Sequence, residues 1–227
     1  MTLQSIRDFG VSAQCTDYRH LLIDSSQKYS PRMYPIEGDA SGASYFWGIA
    51  AISGTSITVH NVNPRSSQGD TKLPALLEQM GCTITVTNDS ITVTGPERLQ
   101  GITANMELMP DVAQTLAVIA ACAQGTSVLR GLKTLRIKET DRIQAMHNEL
   151  KKAGINSEVG PDYLVIHGSN PRAAHIATYE DHRMAMSFAM LSSRVDGMVI
   201  EEPQVVAKSF PTFWDTLDQI GIQSHDC

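Results

Sequence analysis

The stretch DASGASYFWGIAAISGTSITVHNV, residues 39–62, contains the pattern that the rest of the chain repeats. It reads as an acidic residue, an apolar helix of about three turns, a glycine at the helix end and a strand rich in β-branched residues. Two later stretches follow the same plan, DVAQTLAVIAACAQGTSVLRGL at 111–132 and DHRMAMSFAMLSSRVDGMVIEEP at 181–203. A plan used three times predicts one architecture built from repeated units.

A second helix follows each of these stretches, and its start recurs at equal spacing. Gln68, Lys138 and Lys208 stand at the three predicted starts. After the first two of these helices come strand pairs with alternating apolar residues, at 83–95 and 155–168. The complete unit is therefore predicted to be β-α-β-α-β-β.

The repeat leads to a prediction for the whole chain. We expect an α+β fold, a lobe of the α/β type, with the units arranged around a pseudo-threefold axis, helices inside and sheets outside. The units are predicted at 37–108, 109–178 and 179–227, and the third ends after its second helix without a strand pair. Residues 1–36 do not fit the front of a unit, and we interpret them as the tail of a preceding lobe.

Composition and charge exclude several classes of protein. The 42% of hydrophobic residues and 19% of charged residues are typical of a globular chain and exclude overall disorder. A net charge of -6 without a basic run argues against a nucleic-acid partner. The longest apolar run, LAVIAACA at 116–123, is too short to span a membrane, and no signal peptide is apparent. The chain's scattered cysteines form no zinc or disulfide pattern, so we predict a reducing cytoplasm; they are Cys15, Cys82, Cys122 and Cys227.

The predicted helix starts suggest a binding site for a small anion. Helix N-termini attract anions because their unpaired N–H groups carry a partial positive charge. Units arranged around one axis would gather these starts at one end of the lobe, and a mixture of cations and carboxylates there can bind an anion and move protons. The residues at these starts are Asp39, Gln68, Asp111, the KETDR run at 138–142, Asp181, His182, Arg183 and Lys208.

A purely structural interpretation exists for each of these residues. The aspartates that open the first helix of each unit can be N-caps, the acidic residues of KETDR can complement a helix dipole, and His182 can be a core histidine. The distribution favours a site, because reactive side chains concentrate at the helix starts of the second and third units. The first unit has Gln68, Gly69 and Asp70 at that place.

Five motifs stand in an order that is similar to one known family. They are EGDASGASYF (37–46), MPDVAQT (109–115), LRIKETDR (135–142), TYEDHRMAM (178–186) and AKSFPTFW (207–214). The set resembles the 5-enolpyruvylshikimate-3-phosphate synthase family, the 3-phosphoshikimate 1-carboxyvinyltransferases. The match extends over essentially the whole chain but covers only the C-terminal half of a family member, whose two similar lobes face one active-site cleft. By this resemblance, residues 37–227 would be the C-terminal lobe of an enolpyruvyl transferase.

The resemblance implies a reaction and assigns residues to it. The enolpyruvyl group of phosphoenolpyruvate would pass to the 5-hydroxyl of shikimate 3-phosphate with release of phosphate, in chorismate and aromatic amino-acid biosynthesis, without a metal or organic cofactor. Asp111 would accept the hydroxyl proton and Glu139 would move a proton at the methylene carbon. Shikimate 3-phosphate would contact Asp111, Lys138 and Thr134, although many members have asparagine in place of Thr134. The residues implied for phosphoenolpyruvate are Arg142, Arg183 and Lys208. Two supporting residues are implied as well, His182, which would lie beside Glu139, and Asp181.

A partner for this chain is implied as well. The family's N-terminal lobe supplies a lysine, an arginine, a serine cluster and a glutamine to the cleft, and the first residues of the full chain complete the C-terminal lobe. We therefore expect the chain alone to bind both substrates weakly and to turn over negligibly. An exposed cleft face and an unpaired sheet edge also predict self-association.

Two other functions are open at the level of sequence. A related enolpyruvyl transferase that acts on a UDP-sugar shares the fold and the donor, although the KETDR and EDHRMAM runs favour the shikimate enzyme. The alternative from a different class is a non-catalytic module for anion binding or assembly. Site motifs that match at every position argue against a decayed enzyme.

Overall fold

Helices and strands alternate along residues 1–225, which the computed structural model describes. The α-helices are α1 Thr2–Asp8, α2 Ala40–Ser53, α3 Leu73–Gln79, α4 Ala113–Ala121, α5 Arg142–Lys152, α6 His182–Ala189 and α7 Phe213–Gln219. The strands are β1 Ala13–Thr16, β2 His20–Ile23, β3 Ser56–His60, β4 Thr83–Val86, β5 Ser90–Thr94, β6 Thr103–Asn105, β7 Gly125–Arg130, β8 Asn156–Val159, β9 Tyr163–Gly168, β10 His175–Ile176 and β11 Val199–Ile200. The chain thus has a mixed α/β fold.

Two of the four sheets contain the strand pairs that the sequence predicts. In the larger sheet the order is β6-β7-β9-β8, with β6 parallel to β7 and β9 antiparallel to both of its neighbours. The order β3-β5-β4 is antiparallel throughout. The parallel pair β10-β11 is not joined by a further antiparallel strand pair within the described residues. The remaining pair, β1-β2, is an antiparallel hairpin whose second strand is exposed along its whole length.

The first helix of each predicted unit is an interior helix. Every residue of α4 is buried, and so are twelve of the fourteen residues of α2. In α6, Arg183 is the one residue that is not fully buried. Helices that are apolar all round belong inside a protein, and α4 packs against both α2 and α6. Gly48 permits the close approach, because an added Cβ there would meet the Met190 and Ile119 side chains.

The apolar segments predicted for the second helices begin at residues 73, 142 and 212, within a residue of the observed helices, but the residues predicted to open them lie earlier. Three of the predicted starts, Gln68, Lys138 and Lys208, lie on or beside 3-10 turns, and α3, α5 and α7 begin a few residues further along. The 3-10 turns are Gly69–Lys72, Lys133–Ile137 and Pro203–Lys208. Before α5 the turn is followed by Asp141, whose side chain caps the helix by accepting the Gln144 N–H, whereas the turn Gly69–Lys72 continues directly into α3.

Residues 1–225 contain neither a helix that could span a membrane nor a group of side chains that could hold a metal ion. No helix there has the length and apolar character needed to cross a membrane, and no group of three or more potential metal ligands was found. Cys15, Cys82 and Cys122 are free thiols, whereas Cys227 lies outside the described residues.

We predict that Gly168→Ala destabilises the fold more than Gly125→Ala, although these glycines face each other in the β7-β9 ladder. A Cβ on Gly168 would overlap the backbone carbonyl oxygens of Ala120 and Ala123, whereas one on Gly125 meets nothing within 4 Å. Overpacking against backbone should cost about 3 kcal/mol. The left-handed φ of 86° at Gly125 should cost about 1 kcal/mol. Urea unfolding followed by circular dichroism measures both, and equal losses would contradict the steric explanation.

Candidate functional site

The carboxylate of Asp111 lies at the centre of a cluster of charges. It is carried by a 3-10 turn, Pro110–Val112, directly before α4. Its Oδ1 is 3.5 Å from Lys138 Nζ and 3.3 Å from Arg142 Nη1, and its Oδ2 is 3.2 Å from Arg183 Nη2. The capping interpretation is wrong for this residue, because the N-cap of α4 is Val112. For Asp39 and Asp181 the capping interpretation is confirmed.

The guanidinium of Arg142 joins three carboxylates. Arg142 is the first residue of α5 and is 1% exposed. Its Nε donates to Asp181 Oδ2 at 2.6 Å, its Nη2 donates to Glu139 Oε2 at 2.7 Å, and its Nη1 donates to Asp111. A planar fork of five donors suits this arrangement better than a lysine ammonium would.

The carboxylate of Glu139 lies between Arg142 and Lys208. Lys208 Nζ is 2.6 Å from Glu139 Oε1. The hydrogen bond from Lys208 is the largest cause of a Glu139 pKa that is lowered to about 2, and it outweighs the opposing effect of burial. Glu139 is therefore ionised at neutral pH in the ligand-free chain.

The start of α6 contributes a fully buried carboxylate and a cation. Asp181 caps the helix by accepting the backbone N–H of Arg183 at 2.8 Å while it binds Arg142. Arg183 Nη1 donates to the Asp111 carbonyl at 3.3 Å and lies 3.5 Å from the Tyr45 hydroxyl. Arg183 therefore brings α6 into contact with both α2 and the turn before α4.

His182 follows Asp181 and is buried as well. Burial is the largest cause of its lowered pKa, and the charge of Arg183 lowers it further. Its Nδ1 has no hydrogen-bond partner among residues 1–225 and lies 3.8 Å from Asp181 Oδ1. The hydrogen bonds of Glu139 go to Arg142 and Lys208, not to this ring. His182 is thus near the cluster without being bonded to Glu139.

Six predicted site residues therefore meet in one network, together with the predicted supporting residue Asp181. Four cations surround three carboxylates, which leaves one net positive charge. Lys208 is more than half exposed, and Asp111 and Lys138 are each about one-third exposed. A small anion can reach these cations from solvent and would compete with the carboxylates for them. The six residues are Asp111, Lys138, Glu139, Arg142, Arg183 and Lys208.

Thr134 lies outside this network. It belongs to the exposed part of the 3-10 turn Lys133–Ile137, and none of the side-chain hydrogen bonds in the described chain involves it. The structure therefore brings the segment that carries Thr134 close to the site without placing its hydroxyl on a cluster residue.

Sequence reasoning missed two neighbours of the cluster in the first unit. Asp70 accepts a short hydrogen bond from the Ser41 hydroxyl, and its pKa is raised chiefly by burial, with the Asp111 charge as a further cause. Tyr45, on α2, is fully buried, and burial raises its pKa to about 12. Asp70 was visible as the first-unit counterpart of the charged helix starts. No pattern distinguishes Tyr45 from other core aromatics.

Arg136 was also missed. Its Nη1 donates to Asp141 Oδ2 at 2.6 Å, and its Nε donates to the Pro161 carbonyl at 2.8 Å. Arg136 thus connects Asp141, which lies in the KETDR segment and is the N-cap of α5, to the β8-β9 turn. Arginine in a charged run looks like a solvated surface residue, so only the fold reveals this anchor.

Comparison with known proteins points to one family. The family model described as EPSP synthase (3-phosphoshikimate 1-carboxyvinyltransferase) matches residues 1–217. A 3-phosphoshikimate 1-carboxyvinyltransferase of Syntrophobacter fumaroxidans is 38% identical over 97% of this chain and 52% of its own length. The chloroplastic one of Brassica napus is 42% identical over 97% of this chain and 45% of its own length. The chain thus spans about half the length of these curated relatives.

A solved structure agrees with the sequence comparison. The EPSP synthase from Acinetobacter baumannii superposes with a TM-score of 0.84 at 30% identity. The superposition covers 98% of this chain and 54% of that protein. The family match over most of the chain confirms the resemblance seen in the five motifs. The chain belongs to the EPSP synthase (3-phosphoshikimate 1-carboxyvinyltransferase) family.

Proposed function

We propose that this chain supplies one wall of the active site of a 3-phosphoshikimate 1-carboxyvinyltransferase. The reaction would transfer the enolpyruvyl group of phosphoenolpyruvate to the 5-hydroxyl of shikimate 3-phosphate and release phosphate. The observation that carries the proposal is the Asp111 cluster, in which four cations and three carboxylates from distant segments share one partly exposed face. Both substrates are anions, and both protonation and deprotonation steps need positioned carboxylates.

Phosphoenolpyruvate is held by Arg142, Arg183 and Lys208 in this proposal. The Arg183 guanidinium can present parallel N–H donors to a carboxylate or phosphate, whereas Arg142 must first exchange one of its bonds to the three carboxylates for a bond to the ligand. Asp181 supports them, because it binds Arg142 and caps the helix that begins with His182 and Arg183. His182 is a buried neighbour whose lowered pKa keeps it uncharged at neutral pH.

The acceptor hydroxyl of shikimate 3-phosphate gives its proton to Asp111. Lys138, 3.5 Å from the Asp111 carboxylate, contacts the same substrate. Thr134 is proposed as a contact too, and its place on the neighbouring 3-10 turn is compatible with this role once a ligand is bound.

Glu139 carries the proton exchanged at the methylene carbon. In the ligand-free chain its lowered pKa makes it a poor proton donor. An incoming phosphoenolpyruvate competes for Lys208 and Arg142, the cations that lower the Glu139 pKa. The loss of these contacts raises the pKa and allows Glu139 to bind a proton only when substrate is present.

For the architecture, we propose three units around a pseudo-threefold axis at 37–108, 109–178 and 179–227, with residues 1–36 as the tail of the N-terminal lobe. Interior packing of α2, α4 and α6 supports this arrangement. In the second unit the β8-β9 hairpin follows the second helix, α5. The third unit has a groove beside its own second helix, α7, where a corresponding hairpin would lie. Its lining includes Met198, Val199, Ile200, Trp214 and Leu217.

The N-terminal lobe of a full-length enzyme is the proposed partner of this chain, and its first strands would cover the groove. Without that lobe, the exposed apolar side chains and the uncovered edge of β11 favour self-association. The cytoplasm is the compartment that we propose for this chain. The relative from Brassica napus is named as chloroplastic.

We expect the chain alone to release phosphate from the two substrates at a negligible rate, because the lysine and the arginine expected from the N-terminal lobe are not there to enclose them. Addition of the N-terminal half should restore turnover, and Asp111→Ala should abolish it. A phosphate-release assay with and without that half measures both. Turnover by the chain alone at the rate of a full-length enzyme would contradict the half-site proposal, and turnover of only a UDP-sugar would reverse the substrate assignment.

Arg183→Lys should weaken phosphoenolpyruvate binding about tenfold, because a lysine loses the forked pair of donors. The matched control is Arg98→Lys, which changes an exposed arginine paired with Glu97 away from the cluster. Isothermal titration of both variants measures the difference. Equal affinities would exclude Arg183 from the binding site.

Lys208→Met should raise the Glu139 pKa toward its ordinary value of 4.5, because the largest cause of its lowering is removed. A lowered pKa contributes stability above the unfolded value, and that stability is lost as the pH falls from 4.5 toward 2. The variant should therefore lose stability at pH 7 and show a flatter acid profile. Carboxyl NMR titration and urea unfolding measure the two effects, with exposed Lys133→Met as control; an unchanged titration would refute the assignment.

A further inference from the structure

Two consecutive residues before the Asp181 cap have left-handed backbone conformations. The φ angles are 55° at Tyr179 and 56° at Glu180, values that strain any residue other than glycine. Strain of this kind persists only where surrounding contacts hold the backbone, and it is frequent at functional sites. This left-handed turn, residues 179–180, leads directly into Asp181, His182 and Arg183.

One buried carboxylate bonds to the segment that forms the left-handed turn, beside a 3.4 Å hydrogen bond that Asn148 Nδ2 donates to the Tyr179 hydroxyl. Glu149, on α5, is fully buried. Its Oε2 accepts the backbone N–H of Ala177 at 3.0 Å, and its Oε1 accepts the Tyr179 hydroxyl at 2.7 Å. Lys152 Nζ, 2.7 Å from Oε2, neutralises the charge. Charge-assisted hydrogen bonds in a buried place are strong, so the segment from Ala177 to Tyr179 is fastened to α5.

Helix α5 therefore holds the approach to α6 at two points. Arg142, at the start of α5, binds Asp181 at 2.6 Å. Glu149 lies two helical turns further along the same face and binds the residues before the left-handed turn. The turn is clamped between these two contacts. The position of Arg183 depends on the clamp, because its N–H is capped by Asp181 and its guanidinium must reach Asp111.

We propose that Glu149 is a positioning residue for the charge cluster. Through Tyr179 it holds the left-handed turn and so sets where Asp181 and Arg183 stand. Its own hydrogen bonds go to the turn segment and to Lys152, so it acts through the backbone and not on a substrate atom. The inference rests on the proposed function, because phosphoenolpyruvate is the ligand whose binding reports the position of Arg183.

The test compares Glu149→Gln and Tyr179→Phe with the unchanged 227-residue chain. Both variants should bind phosphoenolpyruvate about tenfold more weakly, as expected for the loss of one charge-assisted hydrogen bond. Amide hydrogen exchange in the ligand-free protein should become faster across 178–183. The matched control is His147→Ala, which removes the 2.8 Å hydrogen bond from α5 to Ser157 and leaves the turn intact. Its affinity and its exchange across 178–183 should not change.

A second-site substitution separates positioning from general stability. Glycine adopts a positive φ without strain, and Glu180 is exposed. Glu180→Gly added to Glu149→Gln should therefore restore part of the lost affinity, because one of the two left-handed residues no longer strains the turn. A role in overall stability alone would instead speed amide exchange throughout the core of the Glu149→Gln variant, and not only across 178–183.

Normal affinity and normal exchange in both single variants would overturn the inference while the proposed function stands. If Glu149→Gln does not fold, Tyr179→Phe decides the question, since it removes a single hydroxyl. If the unchanged chain does not bind phosphoenolpyruvate, the proposed function fails. In that case faster exchange across 178–183 in Tyr179→Phe would still support the clamp, and unchanged exchange would refute it.

Discussion

The buried guanidinium of Arg142 is the interaction on which the site depends. It ties the start of α5 to Asp181 before α6, to Glu139 in the preceding loop and to Asp111 before α4. Removing one partner from a buried ionic network leaves the others without compensation, which is costly even where the intact network adds little stability. The arrangement therefore specifies geometry more than it contributes stability. The other three cations, Lys138, Arg183 and Lys208, contact the Asp111 and Glu139 carboxylates that Arg142 binds.

Interior helices make such a network possible. Because α4 is buried on all sides and packs against α2 and α6, the starts of these helices lie close together. The apolar packing fixes the backbone, and the 3-10 turns and N-caps at the helix starts then carry the polar residues. The left-handed turn before α6 lies at the same end. Two residues of α5 hold the chain on either side of it, Glu149 by bonding Tyr179 and Arg142 by bonding Asp181.

The structure brings the predicted cations and carboxylates into one cluster, but which of them pair could not be predicted from the sequence. The motifs that resemble the family identified them, and the charged helix starts pointed to the same end of the lobe. The roles of Arg136 and Glu149 could not be predicted from the sequence, because an arginine in a charged run and a glutamate on a helix look like ordinary surface residues. Their importance arises from burial and from contacts with segments distant in sequence. Thr134 shows the opposite case. The family resemblance implied a substrate contact for this residue, and the ligand-free fold leaves it outside the network.

By itself, the sequence determined the mixed α/β class, the interior helices, the two hairpins and the family. These follow from local periodicity, glycine positions and motif order, which need no knowledge of distant contacts. Only the tertiary structure decided that Asp111 is no helix cap and that a 3-10 turn precedes each of the second helices. It also paired Arg142 with Asp181, Lys208 with Glu139 and Arg183 with Asp111, residues that are 39, 69 and 72 positions apart. The reason is physical: a cap or an ion pair depends on which groups the packed helices bring within hydrogen-bond distance, and that distance is not encoded in any local pattern.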